Sequence, residues 1–123
     1  MFSSLAIATT IAASLQVTPG QPIDIAACNV QAPQSIAFDS LTPGRIEIPG
    51  SVTISFVNRS AQPAKFVDFA ITEGGRTYDL VDRGTFSQNT TIEKTFNADV
   101  AGDSSASCSV TAVNYGDGLA WAR

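Results

Sequence analysis

Histidine is absent from this 123-residue chain. Its absence excludes Ser-His-Asp and Cys-His catalysis, zinc or haem held by histidine, and an imidazole pH switch. None of the many serines lies in the G-x-S-x-G sequence of a nucleophile elbow. We therefore predict a protein that is not an enzyme and that holds no cofactor and no metal.

Charge is also scarce. Charged residues make up 15% of the chain, and 7 Lys and Arg against 11 Asp and Glu give a formal net charge of −4. A protein that binds the phosphate backbone of nucleic acid needs a basic surface from which counterions are released. We therefore expect no nucleic-acid partner. Apolar residues make up 44% of the chain, which is enough to fill the core of one domain.

Two cysteines, Cys28 and Cys108, lie far apart, and no C-x-x-C pair is present. The spacing excludes a thioredoxin-like motif and a zinc ribbon, so the alternatives are one long-range disulfide or two buried free thiols. Strand alternation places Cys28 on the same face as Ala26 and Val30. It places Cys108 on the same face as Val110 and Ala112. We predict a Cys28–Cys108 disulfide, which would stabilise the fold by ~4–5 kcal/mol on the chain-entropy model.

The N-terminal residues Met1–Leu15 are uncharged and mostly small or apolar. They resemble a secretory signal peptide with a small-residue exit at Ala12-Ala13-Ser14, and they are shorter than the roughly 20 residues of a membrane-spanning helix. The alternative is a first strand that stays with the domain. We predict a signal peptide or apolar leader over 1–15, a linker over 16–22 and a domain over 23–123. This organisation indicates a secreted, periplasmic or cell-surface protein without a membrane span.

Beyond the linker, short runs of alternating apolar and polar residues are separated by Gly, Pro, Asn and Asp. Ser51–Val57 has the period of a half-buried strand, and Gly74-Gly75 predicts a tight two-residue hairpin turn. We predict a single immunoglobulin-like antiparallel β-sandwich of about seven to nine strands, with a small β-barrel as the alternative. The single tryptophan, Trp121, follows the second cysteine, which separates this chain from antibody domains.

Acidic side chains are the remaining candidates for a catalytic or metal site. Asp79 and Asp82 are three positions apart on a predicted strand, so they point to opposite faces and form no carboxylate pair. The sequence does not place Glu73 relative to Glu93. Four aspartates in predicted loops could gather calcium, but no twelve-residue calcium loop matches, and we interpret them as solvated turn residues. They are Asp39, Asp99, Asp103 and Asp117.

Two asparagines lie in N-x-[ST] sequences, which are acceptors for N-glycosylation. The sequences are Asn58-Arg59-Ser60 and Asn89-Thr90-Thr91. Both lie in predicted connections between strands, where a glycosylating host would reach them. The sequence leaves glycosylation at Asn58 and Asn89 open.

Three aromatic residues are candidates for an interaction surface. Phe66 and Phe69 point to opposite faces of one predicted strand, so one enters the core and the other lies on the outer face. Tyr78 lies across the predicted hairpin from them. Exposed aromatics on a sheet serve as carbohydrate platforms or protein interfaces, and we predict such a surface from Phe66, Phe69 and Tyr78. The alternative is an apolar layer covered by the leader or by a partner chain.

The middle of the chain, Ser51–Phe96, carries the order of features found in one family. A strand runs into a connection rich in Asn, Ser and Pro, and Phe69-Ala70-Ile71-Thr72-Glu73 follows before Gly75 and a return strand. This segment resembles bacterial secreted Ig-like domains of the FxLYD type, with Thr72 in place of the tyrosine and Glu73 in place of the aspartate. The resemblance implies a non-catalytic extracytoplasmic module and supplies no functional residues.

Two functions from different classes remain. The first is a binding module that recognises a protein or carbohydrate through its loops or its outer sheet face. The second is a structural subunit of a surface or filamentous assembly, with the leader and an open sheet edge adding strands to neighbours. The strand Ser51–Val57 contains no charge. We expect self-association of the full chain if the leader is retained, and a mainly monomeric protein if the chain begins at Gln21.

Overall fold

The computed structural model of this protein describes residues 10–37 and 44–123. These residues form strands, turns and loops, and none of them forms a helix that could cross a membrane. The eleven strands are β1 (Thr10–Ala12), β2 (Ser14–Gln16), β3 (Ile23–Gln31), β4 (Gln34–Ala37), β5 (Arg45–Ile48), β6 (Ser51–Asn58), β7 (Ala64–Glu73), β8 (Arg76–Phe86), β9 (Thr91–Asn97), β10 (Ser107–Asn114) and β11 (Ala120–Ala122).

Nine of these strands form two sheets that pack face to face. The first sheet has the order β1-β3-β6-β9, and the second has the order β11-β10-β7-β8, with β2 also paired to β10. All pairs are antiparallel except β2 with β10, which is parallel. The described sheets do not close into a barrel, so the predicted all-β sandwich is confirmed and the barrel alternative is wrong. The strands β4 and β5 form a separate two-stranded ribbon.

Alternation along the strands builds the core between the sheets. The apolar residues of β6 that the sequence placed on one face, Val52, Ile54 and Phe56, are all fully buried. The facing strand β7 buries its own alternate residues, including Phe69, whose ring lies 5.1 Å from that of Phe56. Each such side chain stabilises the fold by about 1.5–3 kcal/mol relative to an exposed one. The phenyl ring of Phe86 packs edge-on against Phe56 at 5.3 Å and extends this cluster.

The predicted hairpin between β7 and β8 is present. Gly74 and Gly75 have φ angles of +57° and +82°, both in the left-handed region that a two-residue type I′ turn requires. Glu73 and Arg76 close the turn as directly opposed residues. The side chain of Glu73 is buried, and its two carboxylate oxygens accept the backbone N–H groups of Ala101 and Asp103 at 2.7 Å. The hairpin end is thereby fixed to the loop that precedes β10.

The segment Thr10–Gln16 joins both sheets. Strand β1 pairs with β3 in the first sheet, β2 pairs with β10 in the second, and Ala13 between them is buried in the core. The sequence pattern predicts a leader and linker for this segment, with a first strand as the alternative. The structure therefore starts the sandwich before residue 23. A chain beginning at Gln21 would lose two strands and expose the edge of β3. Residues 1–9 of the predicted leader lie outside the described residues.

The two cysteines connect the sheets. Cys28 on β3 and Cys108 on β10 form a disulfide with a Cα–Cα distance of 6.5 Å, and both residues are buried. This distance lies within the range of native disulfides. The predicted pairing is confirmed, and the alternative of two free thiols is wrong. Disulfides are typical of proteins that fold in an oxidising environment.

We expect replacement of the bridge by the double variant Cys28→Ala/Cys108→Ala to lower the free energy of unfolding by about 4 kcal/mol, because the bridge closes a long loop in the unfolded chain. Denaturant titration of both proteins measures this loss. Alkylation of the wild-type protein, denatured but not reduced, should modify no thiol. Two modified cysteines per chain would show that the bridge does not form.

Candidate functional site

The structure does not bring the three predicted aromatic residues together. Phe69 is fully buried in the core, so it is lost from the predicted interaction surface. Tyr78 stands opposite Ile71 on the core side of β8, is half-buried, and donates its hydroxyl hydrogen to the carbonyl oxygen of Asp99. Phe66 alone lies on the outer face of the second sheet. The sequence was right that Phe66 and Phe69 point in opposite directions, but it could not choose between them.

A groove on this outer face contains Phe66. Cross-strand pairing aligns Phe66 with Asn114 and Asp68 with Ala112. On the next strand, Asn114 and Ala112 align with two further alanines, and the groove between these rows has a volume of about 190 Å³. Alanine side chains form its floor, so the depression exists because the neighbouring side chains are larger. Its lining residues are Phe66, Asp68, Ala112, Val113, Asn114, Ala120, Trp121 and Ala122.

A β-bulge in β10 creates the floor of the groove. The register against β7 shifts between Val110 and Ala112, so Thr111 is an extra residue in β10. The shift makes Val113 face the core, where it is buried, and leaves Ala112 on the outer face. The prediction from strand alternation that Ala112 shares a face with Cys108 and Val110 is wrong. Strict alternation carries no signal for a bulge, and this is why the groove was missed.

Polar and aromatic groups surround the alanine floor. The guanidinium of Arg83 lies 5.2 Å from the centre of the Phe66 ring, in cation–π contact, and holds one side of that ring. Asn114 accepts the N–H of Gly116 through its Oδ1 atom, which leaves its side-chain N–H groups available to a ligand. Asp68 is half-buried, and no described residue makes a hydrogen bond or ion pair with its carboxylate. The groove therefore offers an aromatic wall, a donor and an acceptor.

A larger hollow of about 400 Å³ lies beside the ribbon β4–β5. It is lined by Pro33, Gln34, Ser35, Glu47, Ile48 and Pro49. Residues 38–43, which connect the two ribbon strands beside this hollow, lie outside the described residues. We therefore place the candidate site in the outer-face groove.

The acidic residues form no catalytic pair among the described residues. As predicted, Asp79 points outward and Asp82 points inward from β8. Glu73 is buried against backbone N–H groups, whereas Glu93 lies exposed on β9 in the other sheet and accepts a hydrogen bond from Ser55.

Two of the four loop aspartates act in turns, as interpreted from the sequence, whereas the carboxylate of Asp99 lies 3.9 Å from the guanidinium of Arg76. The carboxylates of Asp103 and Asp117 each accept a hydrogen bond from the backbone N–H group two residues further along the chain. Hydrogen bonds from the backbone and side chain of Ser105 lower the pKa of the Asp103 carboxyl group. No group of acidic, cysteine or histidine residues in the described ranges could hold a metal ion. Asp39 lies outside the described residues.

The two glycosylation sequences have different environments. Asn58 is fully buried, and its Nδ2 atom donates to the carbonyl oxygens of Gln62 and Phe86 while its Oδ1 atom accepts from Ser60. This amide fixes the connection between β6 and β7 and has no hydrogen left for a glycan in the folded protein. Asn89 is exposed, with a φ angle of +63°, and its Oδ1 atom accepts from Arg59.

A buried carboxylate lies where the edge strands of the two sheets, β8 and β9, approach each other. Asp82 on β8 and Lys94 on β9 approach to 3.6 Å, and the aspartate side chain is only 5% exposed. Its Oδ2 atom has no hydrogen-bond partner among the described residues. Burial raises the pKa of Asp82 above its ordinary value of 3.8, and the opposing attraction of Lys94 is smaller. Asp82 and Lys94 therefore form an ion pair between the edge strands β8 and β9, and the burial of the aspartate carboxylate costs desolvation free energy.

We expect the unfolding free energy of the wild-type protein, relative to Asp82→Asn, to fall as pH rises from 3.8 through the raised pKa of Asp82. In that window the native state holds a proton that the unfolded chain has released, so unfolding becomes easier as pH rises. Denaturant titrations of dilute protein across this range measure the difference. Asp79→Asn, on the outer face of the same strand, is the control and should follow the wild type. A difference that does not depend on pH contradicts the prediction.

Comparison with known proteins identifies no relative of this chain. The chain matches no family model, and neither curated proteins nor solved structures show a detectable similarity to it. The resemblance of Ser51–Phe96 to FxLYD-type domains therefore stays a prediction.

Proposed function

We propose that this chain is a non-catalytic interaction module and that its ligand binds in the groove on the outer face of the second sheet. The observation that carries the proposal is the alanine floor bounded by Phe66, Asp68 and Asn114. The floor and its boundary come from three adjacent strands, β7, β10 and β11, so the sheet holds them in place before a ligand arrives. Preorganised groups on regular elements lose little entropy on binding.

The size and chemistry of the groove favour a carbohydrate as the ligand. A volume of about 190 Å³ is smaller than the sites that enclose drug-sized molecules, and it suits a single ring. The Phe66 ring offers an apolar surface to the C–H groups of a sugar. Asp68 can accept hydrogen bonds from sugar hydroxyls, and Asn114 can donate to them. The carboxylate and the acidic net charge favour a neutral sugar over an anionic one.

We propose a secreted, periplasmic or cell-surface location. The Cys28–Cys108 disulfide supports it, because such bridges persist in oxidising compartments. The resemblance of the middle of the chain to extracytoplasmic Ig-like modules supports the same location. A second candidate function, as a structural subunit that assembles through strand edges, is favoured by the outer edge of β8, with which no described strand pairs.

We expect neutral oligosaccharides to shift the amide resonances of Phe66, Asp68 and Asn114 in a heteronuclear NMR titration of the full chain. The variant Ala120→Leu fills the floor with a larger side chain and should weaken binding about tenfold or more, since the sugar ring loses its contact surface. Asp68→Asn keeps the shape and removes the charged acceptor, so it should weaken binding less.

The matched control for this experiment is Thr53→Leu, which adds an apolar side chain to the outer face of the first sheet. It should bind as the wild type does. Shifts that map away from the groove would move the site elsewhere. Failure of every neutral oligosaccharide in the panel to bind would reject carbohydrate as the ligand.

A further inference from the structure

The strand β8 presents a long unpaired edge. It spans Arg76–Phe86, pairs with β7 on one side, and is the last strand of its sheet; no described strand pairs with its other side. Because Glu73 and Arg76 close a two-residue turn, the N–H and C=O groups of Arg76 point towards β7, and those of alternate residues do likewise. The backbone groups of Asp79 and Val81 therefore point to the free edge. Long edges of this kind are templates for another strand.

The outward side chains of β8 carry a charge pattern that is complementary to its own antiparallel copy. Val81 is 41% exposed, and the two residues that flank it on the same face are Asp79 and Arg83. An antiparallel copy of this strand with Val81 opposite Val81 places Asp79 opposite Arg83 of the second copy. Two-fold symmetry repeats the same opposite-charge pair on the other side of the axis. Opposite charges directly across a strand pair are favourable.

We propose that a second copy of this chain pairs antiparallel along β8, with Val81 on the two-fold axis. In this register the N–H and C=O groups of Val81 from both copies face each other, so the central pair is a hydrogen-bonded one. The second sheets of the two molecules then form one continuous sheet. This inference does not rest on the groove, and it names the edge through which a structural subunit would assemble.

Other registers of the same pairing are disfavoured. A shift by two residues removes both Asp–Arg pairs, because Asp79 or Arg83 then lies opposite Val81. A shift by four places two copies of Asp79, or two copies of Arg83, opposite each other on the axis, and like charges in this position are destabilising. A shift by one residue turns the core face of the partner outward. The charges that would repel an unrelated strand therefore select one register with a second copy.

The side chain of Arg83 is already held on the outer face. Its guanidinium stacks on the Phe66 ring at 5.2 Å, so less side-chain freedom is lost when it meets a carboxylate. The carboxylate of Asp79 is exposed, and no described cation pairs with it. The two-fold axis is perpendicular to the sheet, so the outer faces of both molecules point the same way. A dimer would therefore present its two grooves on one side, where a repetitive ligand could reach both.

The test is sedimentation equilibrium of the full chain over a range of concentrations. We expect a monomer–dimer equilibrium for the wild type. The variants Asp79→Arg and Arg83→Asp should each weaken the dimer about tenfold or more, because both cross-strand pairs become like-charged. An equimolar mixture of the two variants should dimerise again, since the two arginines of one chain meet the two aspartates of the other. Native mass spectrometry would identify this heterodimer.

Two controls separate edge pairing from general charge effects. Glu47→Arg, on the exposed strand β5, changes the net charge as Asp79→Arg does and should leave the dimer unchanged. Val81→Lys places two cations on the axis and should abolish the dimer. Circular dichroism of each variant verifies that the sandwich is intact.

The proposal is overturned if the wild type stays monomeric up to its solubility limit. A dimer that is insensitive to Asp79→Arg and Arg83→Asp would also overturn it, and so would a mixture of these variants that does not associate. Oligosaccharide binding by the monomeric variants is measured separately, so failure of the dimer and failure of the groove are distinguishable.

Discussion

Phe56 on β6 and Phe69 on β7 pack against each other across the space between the two sheets. The long central strands β3, β6, β7 and β10 each bury apolar side chains between the sheets, and these side chains leave water only when the sheets lie together. The positions of the other elements follow from this contact. The Cys28–Cys108 bridge crosses the same interface, and the segment Thr10–Gln16 passes from one sheet to the other through it, with Ala13 in the core.

Buried polar groups determine how the loops attach to this core. At the end of β6, the side-chain amide of Asn58 donates hydrogen bonds to the carbonyl oxygens of Gln62 in the next connection and of Phe86 at the end of β8. Glu73 accepts two backbone N–H groups from the loop before β10. Both side chains are satisfied by backbone partners, which makes their burial tolerable. Asp82 differs, because one of its carboxylate oxygens has no hydrogen-bond partner in the part of the chain that the structure describes, and its ion pair with Lys94 lies at the rim of the core.

The outer face of the second sheet carries the features that we connect to function. Phe66 forms one wall of the groove and also supports Arg83, so the groove and the free edge of β8 share a contact. Inward charges such as Asp82 are a known protection of edge strands against indiscriminate pairing. The outward charges of the same strand have the opposite effect for an identical partner. Charged side chains on an edge strand can therefore disfavour pairing with most other strands and still favour pairing with a second copy of the same strand.

The sequence by itself determined the all-β class, the strand β6 to within one residue, the Gly74-Gly75 turn and the disulfide, because each depends on local periodicity or on the count of cysteines. Only the tertiary structure decided which of Phe66 and Phe69 entered the core, since alternation defines two faces without saying which is buried. It also placed the extra residue Thr111 in β10, which moved Ala112 to the outer face and formed the groove. Which strand lies at the edge of a sheet depends on long-range pairing. The outward charges of β8 can therefore be related to pairing with a second copy only once the tertiary structure is known.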